Sequence, residues 1–140
     1  MKKLTKVPTW SKKFETGISE VDLQHQFFLK LIFQFYQRTI DTTNSSYIDH
    51  YIEELCLYAK FHFCSEENLM LRAGYKGLKN HRMLHAELIE DLTNKVNLLK
   101  IQETNLDAFL EFLTKWFLDH TLIEDKKFAD FVDTLKNSKN

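Results

Sequence analysis

His62 and Glu66 stand four residues apart in FHFCSEENLM, and His81 and His85 stand four apart in HRMLH. On an α-helix, residues i and i+4 share a face, so each pair can direct two ligating atoms at one point. Gly74 and Gly77, between the pairs, supply a turn that folds the second helix back beside the first. The stretch 61–85 therefore offers three imidazoles and one carboxylate to a metal held between two antiparallel helices. The same set would complete a zinc site, so this stretch alone does not choose the metal.

The rest of the chain adds further ligands. Of its six histidines, His50 lies near the start of a helix and about three turns from His62, and it reads as a surface residue. The other five, His25, His62, His81, His85 and His120, fall on inward-facing helical stripes. A single inward histidine is more often a satisfied core residue than a ligand. Five converging imidazoles would leave many buried donors and acceptors to satisfy, and a shared metal site satisfies them in one step. Asp125 follows His120 by five residues, which on an ideal helix turns it about 140° off that face. Both reach one centre only if the helix is locally unwound, so a π-bulge or a break is expected between Phe117 and Asp125.

If Glu66 and Asp125 each bridge two metals, the side chains offer five nitrogens and four oxygens. With an oxide or hydroxide bridge counted once on each ion, two six-coordinate metals are left with a single open position, where dioxygen can bind. A histidine-rich, thiolate-free, six-coordinate site suits iron rather than zinc. No Glu stands three residues before any histidine, unlike the Glu-x-x-His pattern of carboxylate-rich di-iron bundles. Only Asp22 occupies such a position, before His25, and it reads as an outer partner for that imidazole. Neutral nitrogen donors stabilise lower iron oxidation states, which favours reversible O2 binding over oxidative catalysis.

Four helices must carry these residues. Apolar positions at helical spacing mark helices over about 19–41, 46–72, 79–100 and 104–136, after an extended arm over 1–18 that contains Pro8 and Gly17. Ser19 with Asp22, a serine of the 42–46 turn, and Thr104 with Asp107 are the expected N-terminal caps. Gly74 suits the left-handed position past the second helix, and the last five residues are expected to fray. Short connections make neighbouring helices antiparallel, so the expected fold is all-α, an up-down-up-down four-helix bundle forming one domain over 1–140.

Composition supports this reading. The chain has 140 residues, 44% apolar and 28% charged, with 12 Phe but one Pro and three Gly, too few for the turns of a β-sandwich or barrel. Net charge is −1 with both signs interspersed, so neither nucleic acid nor an anionic membrane is an expected partner. No apolar run has the length of a signal peptide or a membrane span. Cys56 and Cys64 are eight residues apart on one helix, roughly 12 Å, too far to bridge. Reduced thiols and a cytoplasmic location are expected.

From Trp10 to about Phe131 the chain resembles the hemerythrin family, specifically its bacterial single-domain members. The resemblance is carried by WSKKFETGISEVDLQHQ, by FHFCSEENLM with its following GY, by HRMLH, and by WFLDHTLIEDKKF. Together they set out H…H-x3-E…H-x3-H…H-x4-D. It implies a di-iron bundle that binds O2 reversibly at one iron. By that resemblance His81, His85 and His120 hold one iron, His25 and His62 hold the iron with the vacancy, and Glu66 and Asp125 bridge. The family's apolar O2 pocket is matched by Phe28, Phe63, Trp116 and Phe117. Thr121 departs from it, since a bulky aliphatic is common after the helix-four histidine. Its hydroxyl either bonds back to the helix or admits water near the O2 site, which would speed autoxidation. A monomeric O2 carrier, store or buffer, not an enzyme, is the leading expectation. The alternatives are an O2 or redox sensor acting through a partner, and a di-iron peroxidase or nitric-oxide-processing enzyme.

Overall fold

The computed structural model of the chain describes residues 7–40 and 44–138. Residues 1–6 of the expected arm, residue 41 at the end of the first expected helix, turn residues 42 and 43, and the final two residues of the expected frayed end lie outside that range. The helices are α1 (Ser19–Thr39), α2 (Ser45–Ala73), α3 (Leu78–Lys100), α4 (Leu106–His120) and α5 (Lys126–Ser138). Between α4 and α5 the chain makes a π-helical turn over Thr121–Asp125, so the fourth rod is helical throughout with one wide turn inside it. In the bundle α1 packs on α2, α2 on α3, α3 on α4, and α4 returns to α1. The result is the up-down-up-down antiparallel four-helix bundle. No described helix is long and apolar enough to cross a membrane.

The helix ends are set by residues other than the expected caps. Asn44, not a serine, caps α2, accepting from the backbone N–H of Ser46 and Tyr47. Asn105, not Thr104, caps α4 through the Ala108 N–H at 2.8 Å. Ser19 makes no cap to α1; the Asp22 carboxylate reaches back to the Thr16 and Gly17 N–H groups at 2.7 and 3.0 Å and to the Thr16 hydroxyl at 2.8 Å. The two asparagines satisfy donors that a helix start leaves free, and Asp22 ties down the chain that enters α1.

The turn between α2 and α3 is built as its glycines suggested. Gly74 is left-handed (φ 71°), and the Tyr75 N–H closes the end of α2 on the Met70 carbonyl at 3.0 Å. The Tyr75 ring then packs against Phe128 and Phe131, each 5.1 Å away between centroids. It lies so close over Gly77 that a Cβ there would meet ring atoms at 2.7–2.9 Å. The end of α3 uses the same geometry without glycine: Gln102 sits at φ 63°, with the Glu103 N–H on the Leu98 carbonyl at 2.8 Å.

Inside, the bundle is layered. Ile32 and Phe35 of α1, Ile52 and Leu55 of α2, Leu92 of α3 and Leu113 of α4 are among the fully buried members of one apolar cluster. Past the histidines, a second set of buried side chains stands apart from that cluster: Phe14 of the arm, Val21, Met70 and Phe128. Val21 lies one turn before His25, Met70 one turn after Glu66 and Phe128 nearly one turn after Asp125. The polar residues are thus closed off by apolar side chains on both sides.

A Cβ at Gly74 meets nothing within 4 Å, so the cost of Gly74→Ala is that of the backbone alone. It is expected to destabilise by about 1 kcal/mol. Gln102→Gly, at the matching position of α3, is expected to stabilise by up to about 1 kcal/mol. Urea unfolding of both variants at fixed metal loading checks the pair, and equal shifts of the same sign would contradict the left-handed geometry.

Candidate metal centre

Each of α1 to α4 brings candidate ligands inward from a periodic apolar face. α1 supplies His25, α2 supplies His62 and Glu66, α3 supplies His81 and His85, and α4 supplies His120. The π turn supplies Asp125. The extra residue of that turn cancels the offset of a five-residue spacing, and it brings Asp125 Oδ1 to 3.0 Å from His120 Nε2. All seven side chains are buried, from fully for His25 to 8% exposed for His120.

Both carboxylates are divided between two sides. Glu66 Oε1 lies 3.2 Å from His81 Nε2 and 3.1 Å from His85 Nε2, while Oε2 faces His62 Nε2 at 3.9 Å. Asp125 Oδ1 lies 3.2 Å from His81 Nε2, and Oδ2 faces His25 Nε2 at 2.9 Å. Two groups result whose ligating atoms lie within 4.8 Å of one another: Glu66, His81, His85, His120 and Asp125, and then His25, His62, Glu66 and Asp125. The two groups share both carboxylates.

Several of these atoms have no hydrogen-bond partner in the protein, although they are buried: both ring nitrogens of His25, His62 Nε2, Glu66 Oε2 and Asp125 Oδ2. Orphaned nitrogen and oxygen lone pairs facing one another are what a cation satisfies, and the donor set of imidazole with carboxylate fits iron. The charge balance points the same way. Burial and the Asp125 charge oppose ionisation of Glu66, but hydrogen bonds from His81 and His85 outweigh them and hold its pKa below the usual value. Burial likewise opposes ionisation of Asp125, yet the His120 charge and the close approach of the His120, His25 and His81 imidazoles hold it well below the ordinary range. Burial also works against a charged His81, but its bonds to Asp125 and Glu66 win and push its pKa up to about 9. His62 goes the other way, down to about 4, chiefly through burial.

Two residues that the sequence reasoning missed set the imidazoles. His62 Nδ1 lies 2.7 Å from Gln24 Oε1, and Gln24 is held in turn by its amide donating to Ser65 Oγ at 2.9 Å. His85 Nδ1 lies 2.7 Å from Glu67 Oε2, whose other oxygen meets Arg82 Nε at 3.5 Å. Both partners are acceptors, so each Nδ1 is a place for the proton, and a bound metal would take the Nε2 lone pair. The available signals were the doubled carboxylate at 66–67 and a polar residue directly before His25. Asp22, expected to fill this role for His25, instead spends its carboxylate on Thr16 and Gly17, and His25 Nδ1 is left unpartnered.

A small cavity of about 10 Å³ opens beside His25 and His62. Phe63, Leu88, Trp116, Phe117 and Thr121 complete its wall together with His120 and Asp125. Phe63 stacks flat on His85 at 3.9 Å, and Phe117 meets His25 edge-on at 5.4 Å. Trp116 is fixed by its indole N–H on the Leu88 carbonyl at 2.9 Å. Phe28, expected in this lining, stands one layer back, packed on Phe117 at 5.2 Å and Trp116 at 6.2 Å. His50 is exposed, as expected.

Comparison with known proteins gives a consistent result. A family model described as Hemerythrin HHE cation binding domain matches residues 16–132. A bacteriohemerythrin of Clostridium acetobutylicum is 31% identical over 133 residues, covering 86% of this chain and 98% of that protein. A bacteriohemerythrin of Pseudomonas aeruginosa is 28% identical over 129 residues, covering 92% of this chain and 82% of that protein. A wild-type hemerythrin crystal structure superposes with a TM-score of 0.78 at 24% identity, over 89% of this chain and 97% of that one, a likeness of fold.

With no cation in the cluster, His81 carries a proton at neutral pH, because its pKa of about 9 lies above the solution pH. Metal uptake must displace it. Loading cobalt(II) into the metal-free protein at pH 7.5 is expected to release about one proton per chain or more, read by indicator dye in weak buffer, with less released as the starting pH rises past about 9. Uptake with no proton release at pH 7.5 would contradict this charge balance.

Proposed function

Because the chain belongs to the hemerythrin family, we propose that its buried cluster holds two iron ions bridged by an oxide or hydroxide and binds dioxygen reversibly. The observation that carries this reading is the division of each carboxylate, one oxygen toward the three-histidine side and the other toward His25 or His62. Two carboxylates shared in this way suit bridging between two ions rather than chelation of one. Three imidazoles and two oxygens on one side, and two imidazoles and two oxygens on the other, leave the His25 and His62 side one ligand short. The cavity borders that side.

Ferrous iron would supply the electrons that dioxygen takes up and gives back. The side chains do the rest. Glu66 and Asp125 balance the metal charge inside a dry interior, and the Gln24 and Glu67 contacts keep His62 and His85 in the tautomer that ligates. Phe63, Leu88, Trp116 and Phe117 keep bulk water from the vacancy. Among the described residues, the cavity wall holds no acid or base apart from the candidate ligands, which supports binding over catalysis and so a carrier, store or local buffer of O2. A sensing role draws on a different observation: His85, Glu67 and Arg82 form a polar chain from the centre to the exposed face of α3.

Iron-loaded protein is expected to contain about two ions per chain, and Glu66→Ala to retain one or fewer. Anaerobic reduction, O2 exposure and O2 removal, followed in the visible spectrum, should show a charge-transfer band that appears and then disappears. A band that decays irreversibly with a product formed would replace the carrier reading with an enzymatic one.

A further inference from the structure

The hydroxyl of Thr121 is buried without a partner. Two other helical threonines bond back to the preceding turn: Thr39 Oγ1 donates to the Phe35 carbonyl at 2.8 Å, and Thr134 Oγ1 to the Asp130 carbonyl at 3.0 Å. Thr121 is 1% exposed, yet its Oγ1 has no hydrogen-bond partner. It opens the π turn, and there the Phe117 and Leu118 carbonyls take the Thr121 backbone N–H instead. The first of the two fates expected for this hydroxyl, a bond back to the helix, is therefore not adopted. A buried hydroxyl without a partner is costly, and native proteins rarely leave one so unless something outside the chain completes it.

What it lines is the cavity beside His25 and His62, with room for the centre of about one water-sized molecule. The other polar groups on that wall are otherwise committed. His25, His62, His120 and Asp125 are candidate metal ligands, and the Trp116 indole N–H is given to Leu88. Thr121 is the one polar side chain of the wall with neither commitment.

We propose that Thr121 is the specificity-determining residue of this pocket, donating a hydrogen bond from its hydroxyl to a diatomic ligand taken up on the His25 and His62 side. The inference rests on the O2-binding reading above. A pocket walled only by hydrocarbon would select its ligand by size alone. One donor adds a preference for ligands that carry a lone pair, or that gain negative charge on binding, and it holds them longer. The ligand class is a small diatomic hydrogen-bond acceptor, with dioxygen as the probe.

The test compares wild type with Thr121→Val, which keeps the shape and removes the hydroxyl, and Thr121→Ser, which restores it. Oxygenated protein is mixed rapidly with an O2 scavenger and release is timed. Net hydrogen-bond strengths predict release about 3- to 10-fold faster in Thr121→Val, with Thr121→Ser close to wild type. Equal rates in wild type and Thr121→Val, when the wild type binds O2 reversibly, overturn the role of the hydroxyl and leave the O2-binding reading standing. A wild type that takes up no O2 overturns both. A second readout needs no metal: the Tm of metal-free Thr121→Val is expected to equal or exceed that of wild type, because the hydroxyl has no partner within the protein. A clearly lower Tm assigns the hydroxyl to the fold and overturns the proposal.

Discussion

Two carboxylates buried together in the middle of a helical bundle are the constraint from which the rest follows. Glu66 and Asp125 are each 1% exposed, and burying an unpaired charge costs far more than any single contact returns. Such a pair persists only if positive charge is supplied between the two groups. His81 does this in part, its bonds to both carboxylates holding a proton, while burial makes His62 give its proton up. The proposed pair of iron ions would do it better, and would use the arrangement of oxygens toward two separate sides. The apolar layers on both sides of the cluster sharpen the demand, because they exclude the water that would otherwise share it.

The surroundings then tune what the charge requires. Gln24 and Glu67 do the same geometric work on opposite sides of the cluster but differ in charge. The neutral amide sits behind His62, on the His25 side of the cluster, and the carboxylate behind His85, on the three-histidine side. Imidazole backed by a carboxylate is the stronger donor, so the two sides of the cluster are electronically unequal.

Much of this was legible in the sequence because helical periodicity is strict. Spacings of four residues fix His62 with Glu66 and His81 with His85 on shared faces whatever the tertiary details. The five-residue step from His120 to Asp125 demanded an irregularity, and a π turn stands there. Less regular features were not legible. Asn44 and Asn105 outcompeted the expected caps because several side chains able to cap crowd each helix start, and backbone geometry decides among them. Asp22 holds the backbone just before its own helix instead of His25 for the same reason: a local donor is nearer than a distant imidazole. Gln24 was invisible because its partners, His62 and Ser65, lie on another helix, and Phe28 because periodicity tells which side chains face inward but not which stand in front.

The π turn reaches further than the ligand it positions. One residue is worth about 100° of helix rotation, so an extra residue re-phases everything that follows it. α5 inherits that new phase, and with it Phe128 and Phe131 meet the ring of Tyr75. Tyr75 in turn lies over Gly77, in the turn that joins the two helices carrying four of the seven candidate ligands. A single register shift in the last rod is therefore read twice, once by the chemistry at Asp125 and once by the hinge between α2 and α3. Removing that residue would not simply straighten a helix; it would throw the bundle's closure and its ligand set out of step together.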